Sequence, residues 1–122
     1  MMTGSVQNLH ALLPITFRLP DNQPDIALEF VVDTGFTGSL TLPPAAVAAM
    51  GLPLVHNRAV NLADDSAVLV SVHEAAIVWN GVEHQVLILA TGSRPLLGTA
   101  LLDGQELVAQ FRDGGLVTVD DL

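Results

Sequence analysis

Short strand-like runs separated by turn signals dominate this sequence of 122 residues. The clearest turn is Asn80-Gly81, which stands between the apolar runs "AAIVW" and "VLIL". Asn-Gly between two such runs is the strongest short-range signal for a β-hairpin, because both positions require positive φ. Strands spaced this closely, with little room for helices, favour a mainly β fold, either a small β barrel or a sandwich.

Further turns and two short helices complete the predicted order of elements. The turn "PDNQPD" separates the runs "LLPITFRL" and "DIALEFVV", "GSLTL" is a third strand, and "ADDS" and "DGG" mark two more hairpin tips. The segment "PPAAVAAMGL" begins with two prolines and ends at Gly51, which is typical of a short helix. The segment "TALLDGQEL" predicts a second short helix.

Half of the residues are hydrophobic, which is a large share for a chain of this size. A membrane span needs about 18 uninterrupted apolar residues. The closest stretch, "AVLVSVHEAAIVW", is interrupted by Ser71, His73 and Glu74. We therefore expect no membrane association, and we assign the apolar excess to one core and a buried subunit interface.

Charge and cysteine content exclude several classes of protein. The formal net charge is −9, and phosphate backbones are bound by Lys and Arg, so we expect no nucleic-acid partner. The absence of cysteine excludes disulfides and thiolate metal sites. The first residues, "MMTGSVQNLHALLP", do not resemble a signal peptide, and the expected location is cytoplasmic.

One carboxylate has an unusual sequence context. Asp33 follows the apolar run Phe30, Val31 and Val32 and is followed by Thr34-Gly35. Asp and Gly are ordinary turn residues, so the triplet alone is a weak signal. The continuous apolar run, however, predicts a strand buried on both faces, and a carboxylate delivered into an apolar interior is a candidate functional group.

A second motif follows later in the chain. Leu96 and Leu97 precede Gly98, and a glycine after an apolar pair allows another backbone segment to approach closely. The two motifs in this order, with a hairpin between them, resemble the retropepsin-like aspartic proteases, and the small bacterial members especially. The resemblance covers residues from about 12 to about 120. It implies a single domain over residues 1–122 with a small closed β barrel and one or two short helices.

The resemblance implies an aspartic endopeptidase that acts on peptide or protein substrates. In this family two aspartates face one water molecule and share a proton. The chain contains a single Asp-Thr-Gly, so the resemblance implies a homodimer with one catalytic Asp33 from each subunit and no metal or cofactor. The residues implied to support the active-site loop are Thr34, Gly35, Leu96, Leu97 and Gly98. The candidate flap tip comprises Ala63, Asp64, Asp65 and Ser66.

The sequence departs from the family pattern at two places. Thr37 and Thr99 stand where retroviral members often carry an acid and an arginine that pair with each other. The flap tip carries two acids instead of glycines, which would either favour basic substrates or indicate a stiffer loop. These departures leave an alternative open, in which the domain is catalytically inactive and serves for dimerisation or peptide binding.

Two His-Glu pairs, His73-Glu74 and Glu83-His84, suggest a metal site at first sight. If Asn80-Gly81 forms the hairpin turn, His84 faces Ile77 while His73 lies farther along the hairpin. A zinc site requires three or four converging ligands. We therefore expect these residues to be ordinary strand residues.

Overall fold

The structure is a computed structural model that describes residues 1–61 and 64–122. In this part of the chain there are ten strands and two short helices. The strands are β1 (Met2–Gln7), β2 (His10–Arg18), β3 (Ile26–Val32), β4 (Leu40–Leu42), β5 (Leu54–Asn61), β6 (Ala67–Trp79), β7 (Val82–Ala90), β8 (Leu96–Leu97), β9 (Gln105–Ala109) and β10 (Leu116–Asp121). The helices are α1 (Pro44–Met50) and α2 (Thr99–Leu102), and neither is long enough to cross a membrane.

The strands form one sheet with the order β5-β6-β7-β4-β8-β3-β2-β1-β10-β9. An additional pairing of β2 with β6 closes six of these strands into a ring. The expected mainly β fold with short helices is therefore confirmed. Where a closed barrel was expected, the structure shows a ring of six paired strands. Strands β1, β10 and β9 extend the sheet beyond the ring on one side.

The predicted Asn80-Gly81 turn joins β6 and β7. Both residues have positive φ, 48° and 79°, as a tight two-residue hairpin turn requires. Trp79 pairs with Val82, so the register is the one that the sequence predicts. The hairpin at "PDNQPD" between β2 and β3 is also confirmed.

Helix α1 has the predicted boundaries. Pro44 occupies its first turn, and Gly51 ends it with a left-handed φ of 67°. The second predicted helix is only partly correct, because α2 ends at Leu102 and the following Gln105–Ala109 forms strand β9. Gly104, with a φ of 77°, makes the intervening turn and breaks the helix.

The hydrophobic core lies inside the ring of strands. Leu13, Ile15 and Phe17 on β2 alternate with more exposed neighbours and are fully buried, which is the two-residue period of a strand with one apolar face. The rings of Phe17 and Phe30 stack with their centroids 5.9 Å apart. Strand β3 contributes Phe30 to this core and leads directly into Asp33, so the core fixes the strand that carries the acid.

Candidate active site

Strand β8 lies between β3 and β4 and carries the second predicted motif. It runs parallel to β3 and antiparallel to β4. The Asp33 amide donates a hydrogen bond to the Leu97 carbonyl at 2.9 Å, and the Val31 amide donates to the Pro95 carbonyl at 3.0 Å. The structure thus brings the Asp-Thr-Gly and Leu-Leu-Gly motifs side by side.

The turn that follows β3 holds the Asp33 side chain in a defined position. One carboxylate oxygen of Asp33 accepts a hydrogen bond from the Gly35 amide at 2.9 Å. The Asp33 carbonyl accepts a second one from the Phe36 amide at 3.1 Å. Asp33 is half-buried, whereas Thr34 and Gly35 are exposed. The carboxylate is therefore fixed by its own turn and remains accessible in the single chain.

The start of α2 is bonded to the far end of the same turn. The Gly98 amide donates to the Ser39 carbonyl at 2.9 Å, and the Thr99 amide donates to the Phe36 carbonyl at 2.8 Å. The Thr99 hydroxyl also donates to the Phe36 carbonyl, at 3.3 Å. Residues 33–39 and 96–99, which we call the Asp33 frame, are joined by these hydrogen bonds.

The two segments of the Asp33 frame approach each other closely at Gly98. A Cβ atom at this position would lie 2.2 Å from the Gly38 carbonyl oxygen and 2.6 Å from the Phe36 carbonyl oxygen. The Gly98 backbone is extended, with φ −104°, so any residue could adopt its conformation. Glycine is required here because two backbone segments meet without space for a side chain.

The Asp33 frame has hydrogen bonds where Thr37 and Thr99 replace the acid and the arginine of retroviral members. Thr99 lies in α2 and links it to the Asp33 turn by the two hydrogen bonds to Phe36. Thr37, at the other position, is exposed. Two neutral hydrogen bonds from Thr99 thus join α2 to the Asp33 turn, in place of an ion pair.

The burial predicted for the strand before Asp33 is wrong at two of its three positions. Phe30 is fully buried, but Val31 and Val32 are half-buried in the single chain. Val32 packs against a small second cluster formed by Val6, Ala11 and Val117. The difference arises because this end of β3 lies at the edge of the core instead of inside it.

The candidate flap is the hairpin of β5 and β6, referred to below as the flap hairpin. β5 is an edge strand whose residues are almost all exposed, and the first residues of β6 are exposed as well. Val68 and Leu69 are exposed at 41% and 76%, respectively. The outer part of the flap hairpin therefore presents apolar side chains to solvent in the single chain.

At the tip of the flap hairpin, Asp64 accepts hydrogen bonds from the amide and the hydroxyl of Ser66. These bonds, the hydroxyl one first, lower the pKa of the Asp64 carboxyl below its ordinary value. Asp65 has a positive φ of 65° and is exposed. The fourth predicted tip residue, Ala63, lies outside the described residues. Asp64 is therefore one of the residues whose hydrogen bonds form the turn at the tip.

The residues considered for a metal site do not converge. His84 pairs with Ile77 across the hairpin, and His73 pairs with Ile88, as the predicted register requires. The ring of His73 lies between the Leu52 carbonyl and the Ser71 hydroxyl, at 2.9 and 3.1 Å. Within residues 1–61 and 64–122 no group of three or more His, Asp or Glu side chains could hold a metal ion.

Several residues near the site were not among those predicted from the sequence. Phe36 and Gly38 supply the carbonyls that the second motif contacts, and His56 and Arg58 on β5 line a cavity beside Gly38. The first pair lies within the "DTGFTG" segment, whose repeated glycines were a usable signal. The second pair had no local signal, because only the folded flap hairpin brings β5 to the Asp33 frame.

Comparison with solved structures identifies the fold. The chain is similar to a retropepsin-like aspartic protease from Rickettsia conorii, with a TM-score of 0.56 and 14% sequence identity over 98% of this chain and 90% of that chain. No protein-family model and no curated protein sequence matches it. The similarity extends along nearly the whole chain. The fold of this chain is therefore that of the retropepsin-like aspartic proteases.

Proposed function

We propose that this protein is an aspartic endopeptidase that acts as a homodimer. The observation that carries the proposal is the Asp33 frame, in which a half-buried carboxylate is fixed by the Gly35 amide and the turn is bonded to Leu97 and Thr99. A binding surface would not need a carboxylate held in this way. The similar protein from Rickettsia conorii, described as a retropepsin-like aspartic protease, supports the same activity.

The chemistry requires a second carboxylate. Peptide hydrolysis by this route needs one carboxylate as general base toward water and one carboxylic acid as proton donor to the substrate carbonyl. Asp33 is the single acid among residues 33–39 and 96–99. A twofold axis beside the Asp33 turn would bring in the Asp33 of a second copy, and the two carboxyls would titrate as a pair.

The remaining residues of the frame have supporting roles in this proposal. The exposed Thr34 would hydrogen-bond across the twofold axis and hold the two turns together. Gly35 keeps the turn open to substrate, and Gly98 sets its distance from α2. The flap hairpin would close over an extended peptide, adding main-chain hydrogen bonds from β5 and excluding water.

The alternative function, an inactive domain for dimerisation or peptide binding, rested on the altered flap tip and on the missing ion pair. The hydrogen bonds from Thr99 to Phe36 weaken the second argument, because they join the same two segments. The first argument concerns the tip alone, where Asp64 forms a turn with Ser66. No observation therefore favours the alternative over the enzyme.

The proposal is tested first by the mass in solution, measured by sedimentation at low micromolar concentration, and then by peptide cleavage. We expect a dimer that cleaves peptides, and we expect Asp33→Asn to lower kcat/KM by at least about 10²-fold, the range attributed to general acid–base catalysis. The asparagine oxygen can still accept the Gly35 hydrogen bond, so the melting temperature should be retained.

The matched control is Asp103→Asn, which removes an exposed acid in the turn after α2. It should leave cleavage unchanged. Cleavage that survives Asp33→Asn would refute the catalytic role. A protein that remains monomeric even with substrate would refute the two-aspartate site, because a single chain presents one Asp33.

A further inference from the structure

A cavity of about 160 Å³ lies beside the Asp33 frame. Its walls are Gly38 and Ser39 at the end of the Asp33 turn, Ala100 in α2, and His56 and Arg58 on the flap strand β5. The cavity therefore spans the gap between the proposed catalytic turn and the proposed flap. A substrate side chain next to the cleaved bond is the natural occupant of such a position.

The lining of this cavity is cationic, although the protein as a whole is acidic. Among the residues that line it, His56 and Arg58 are the ones that can carry charge, and no Asp or Glu contributes. The chain has thirteen acidic residues and only four basic ones. The cavity lined by Arg18, in contrast, also contains Glu74. Another cavity that reaches Ser39 and Ala100 contains Asp103 and Asp121, so of these three cavities the one beside β5 has no acid in its wall.

Arg58 differs from Arg18 and Arg94 in its partners. Arg18 forms ion pairs with Asp25 and Glu83 at 3.8 and 3.1 Å, and Arg94 lies 3.0 Å from the ring of His10. Within residues 1–61 and 64–122, Arg58 forms no salt bridge, and its cross-strand neighbour is Val70. Its guanidinium is therefore available to a ligand.

We propose that this cavity is a substrate subsite that prefers an acidic side chain, with Arg58 as the residue that determines the preference and His56 beside it. The inference rests on the proposed peptidase function. A guanidinium binds a carboxylate through paired hydrogen bonds, and Arg is suited to this geometry more than Lys is. Leu40, Val72 and Leu89 supply apolar walls for the aliphatic part of a glutamate.

The two acids at the flap tip do not oppose this preference. Asp64 is bonded to Ser66, and the tip lies beyond the last strand pair, Asn61 with Ala67. Arg58 precedes Asn61 by three residues, or about 10 Å along a strand. That separation is roughly a Debye length at physiological salt, so exposed charges at the tip act weakly on the cavity.

The expected preference is modest, because Arg58 is exposed. Exposed ion pairs correspond to roughly two- to fivefold changes in an equilibrium constant. We therefore expect peptides with glutamate at the favoured position to be cleaved with a kcat/KM roughly two- to fivefold higher than matched peptides with glutamine. The preference should weaken as salt is added.

The experiment uses the full chain and a library of synthetic peptides randomised on both sides of a central bond. Matched peptides with Glu, Gln or Lys at the preferred position follow. Arg58→Gln should abolish the difference between Glu and Gln, and Arg58→Glu should favour Lys. Arg112→Gln, which removes an exposed arginine outside this cavity, is the matched control and should keep the wild-type preference.

The outcomes separate this inference from the proposed function. Cleavage without a preference for Glu, or with a preference that Arg58→Gln leaves unchanged, would overturn the subsite and leave the peptidase intact. If no peptide is cleaved, binding of the same matched peptides is measured by fluorescence anisotropy. Tighter binding of the Glu peptide that Arg58→Gln abolishes would then support the subsite on an inactive domain. Equal binding, or none, would overturn it.

Discussion

The Asp33 frame and the flap hairpin differ in how far apart in sequence their hydrogen-bonded partners lie. In the frame, main-chain amides of Asp33, Gly98 and Thr99 bond to carbonyls of distant segments at 2.8–2.9 Å. In the flap hairpin, β5 is an exposed edge strand paired with β6, and β6 pairs with β7 and β2 only from Ser71 onward. The comparison indicates that contacts with distant segments set the position of the Asp33 turn, while the outer part of the flap hairpin is held mainly by the pairing of β5 with β6.

Hydrogen exchange should show the largest difference between the two regions. The Gly98 amide is buried and bonded to Ser39, whereas the Ser66 amide is bonded to the exposed carboxylate of Asp64. We expect Gly98 to exchange only on global unfolding, roughly 10³-fold or more slower than Ser66 after correction for intrinsic rates. Similar protection at both amides would mean that the flap hairpin is as rigid as the frame.

A methyl group at Gly98 should break the frame. Gly98→Ala places a Cβ against the carbonyls of Gly38 and Phe36, and both are backbone atoms that cannot swing away. We expect a loss of about 3 kcal/mol in the free energy of unfolding, measured in urea, together with loss of cleavage. Gly51→Ala is the control.

At Gly51 the space is open but φ is 67°, so alanine should cost only about 1 kcal/mol through the backbone. Equal losses at Gly98 and Gly51 would show that the close approach in the frame is not important for stability.

The link from α2 to the Asp33 turn should have a smaller effect. Thr99→Val removes the hydroxyl that bonds to the Phe36 carbonyl and retains the amide bond to the same atom. We expect the free energy of unfolding to fall by about 0.5–1 kcal/mol, with a parallel decrease in kcat/KM as the turn loosens. Thr37→Val, at the exposed position of the missing pair, should change neither measurement.

Titration of Asp64 should give the smallest effect and reports on the flap tip alone. Hydrogen bonds from the Ser66 hydroxyl and amide lower the pKa of the Asp64 carboxyl. These bonds are therefore fully formed at pH values above the ordinary pKa of 3.8, and they are lost as the pH falls through the lowered pKa. Ser66→Ala should raise the pKa of Asp64 toward its ordinary value, measured by carbon NMR of the carboxyl group. The control Ser93→Ala should leave the titration midpoint of Asp64 unchanged. An unchanged midpoint in Ser66→Ala would show that the Ser66 hydroxyl does not lower the pKa of Asp64.

The sequence predicted those parts of the fold that depend on local chemistry. The Asn80-Gly81 turn and the helix that ends at Gly51 both follow from residues that adopt positive φ. The first residues of β9 were assigned to a helix, because "TALLDGQEL" contains helix-forming residues. The strand forms by pairing with β10, and this pairing has no signal within the segment itself. Strand β1 was not predicted as a strand, since its partners are β2 and, at the other end of the chain, β10.

The candidate site shows the same limit. The Asp-Thr-Gly and Leu-Leu-Gly motifs were visible, and the structure places them side by side. The role of Thr99 was hidden, because a threonine has no local signature for bonding a carbonyl 63 residues away. Arg58 was also hidden, because its importance depends on the absence of acids around it in space.

The position of β8 between β3 and β4 has a consequence for the order of events during synthesis. The amide of Asp33 finds its partner carbonyl only when Leu97 has been made, and β1 gains its second neighbour only with β10. At about 5–20 residues per second, the acid spends several seconds on the ribosome before its frame can assemble. A nascent chain of this protein therefore carries the proposed catalytic residue without a formed site until Leu97 and the segment that follows it have been made.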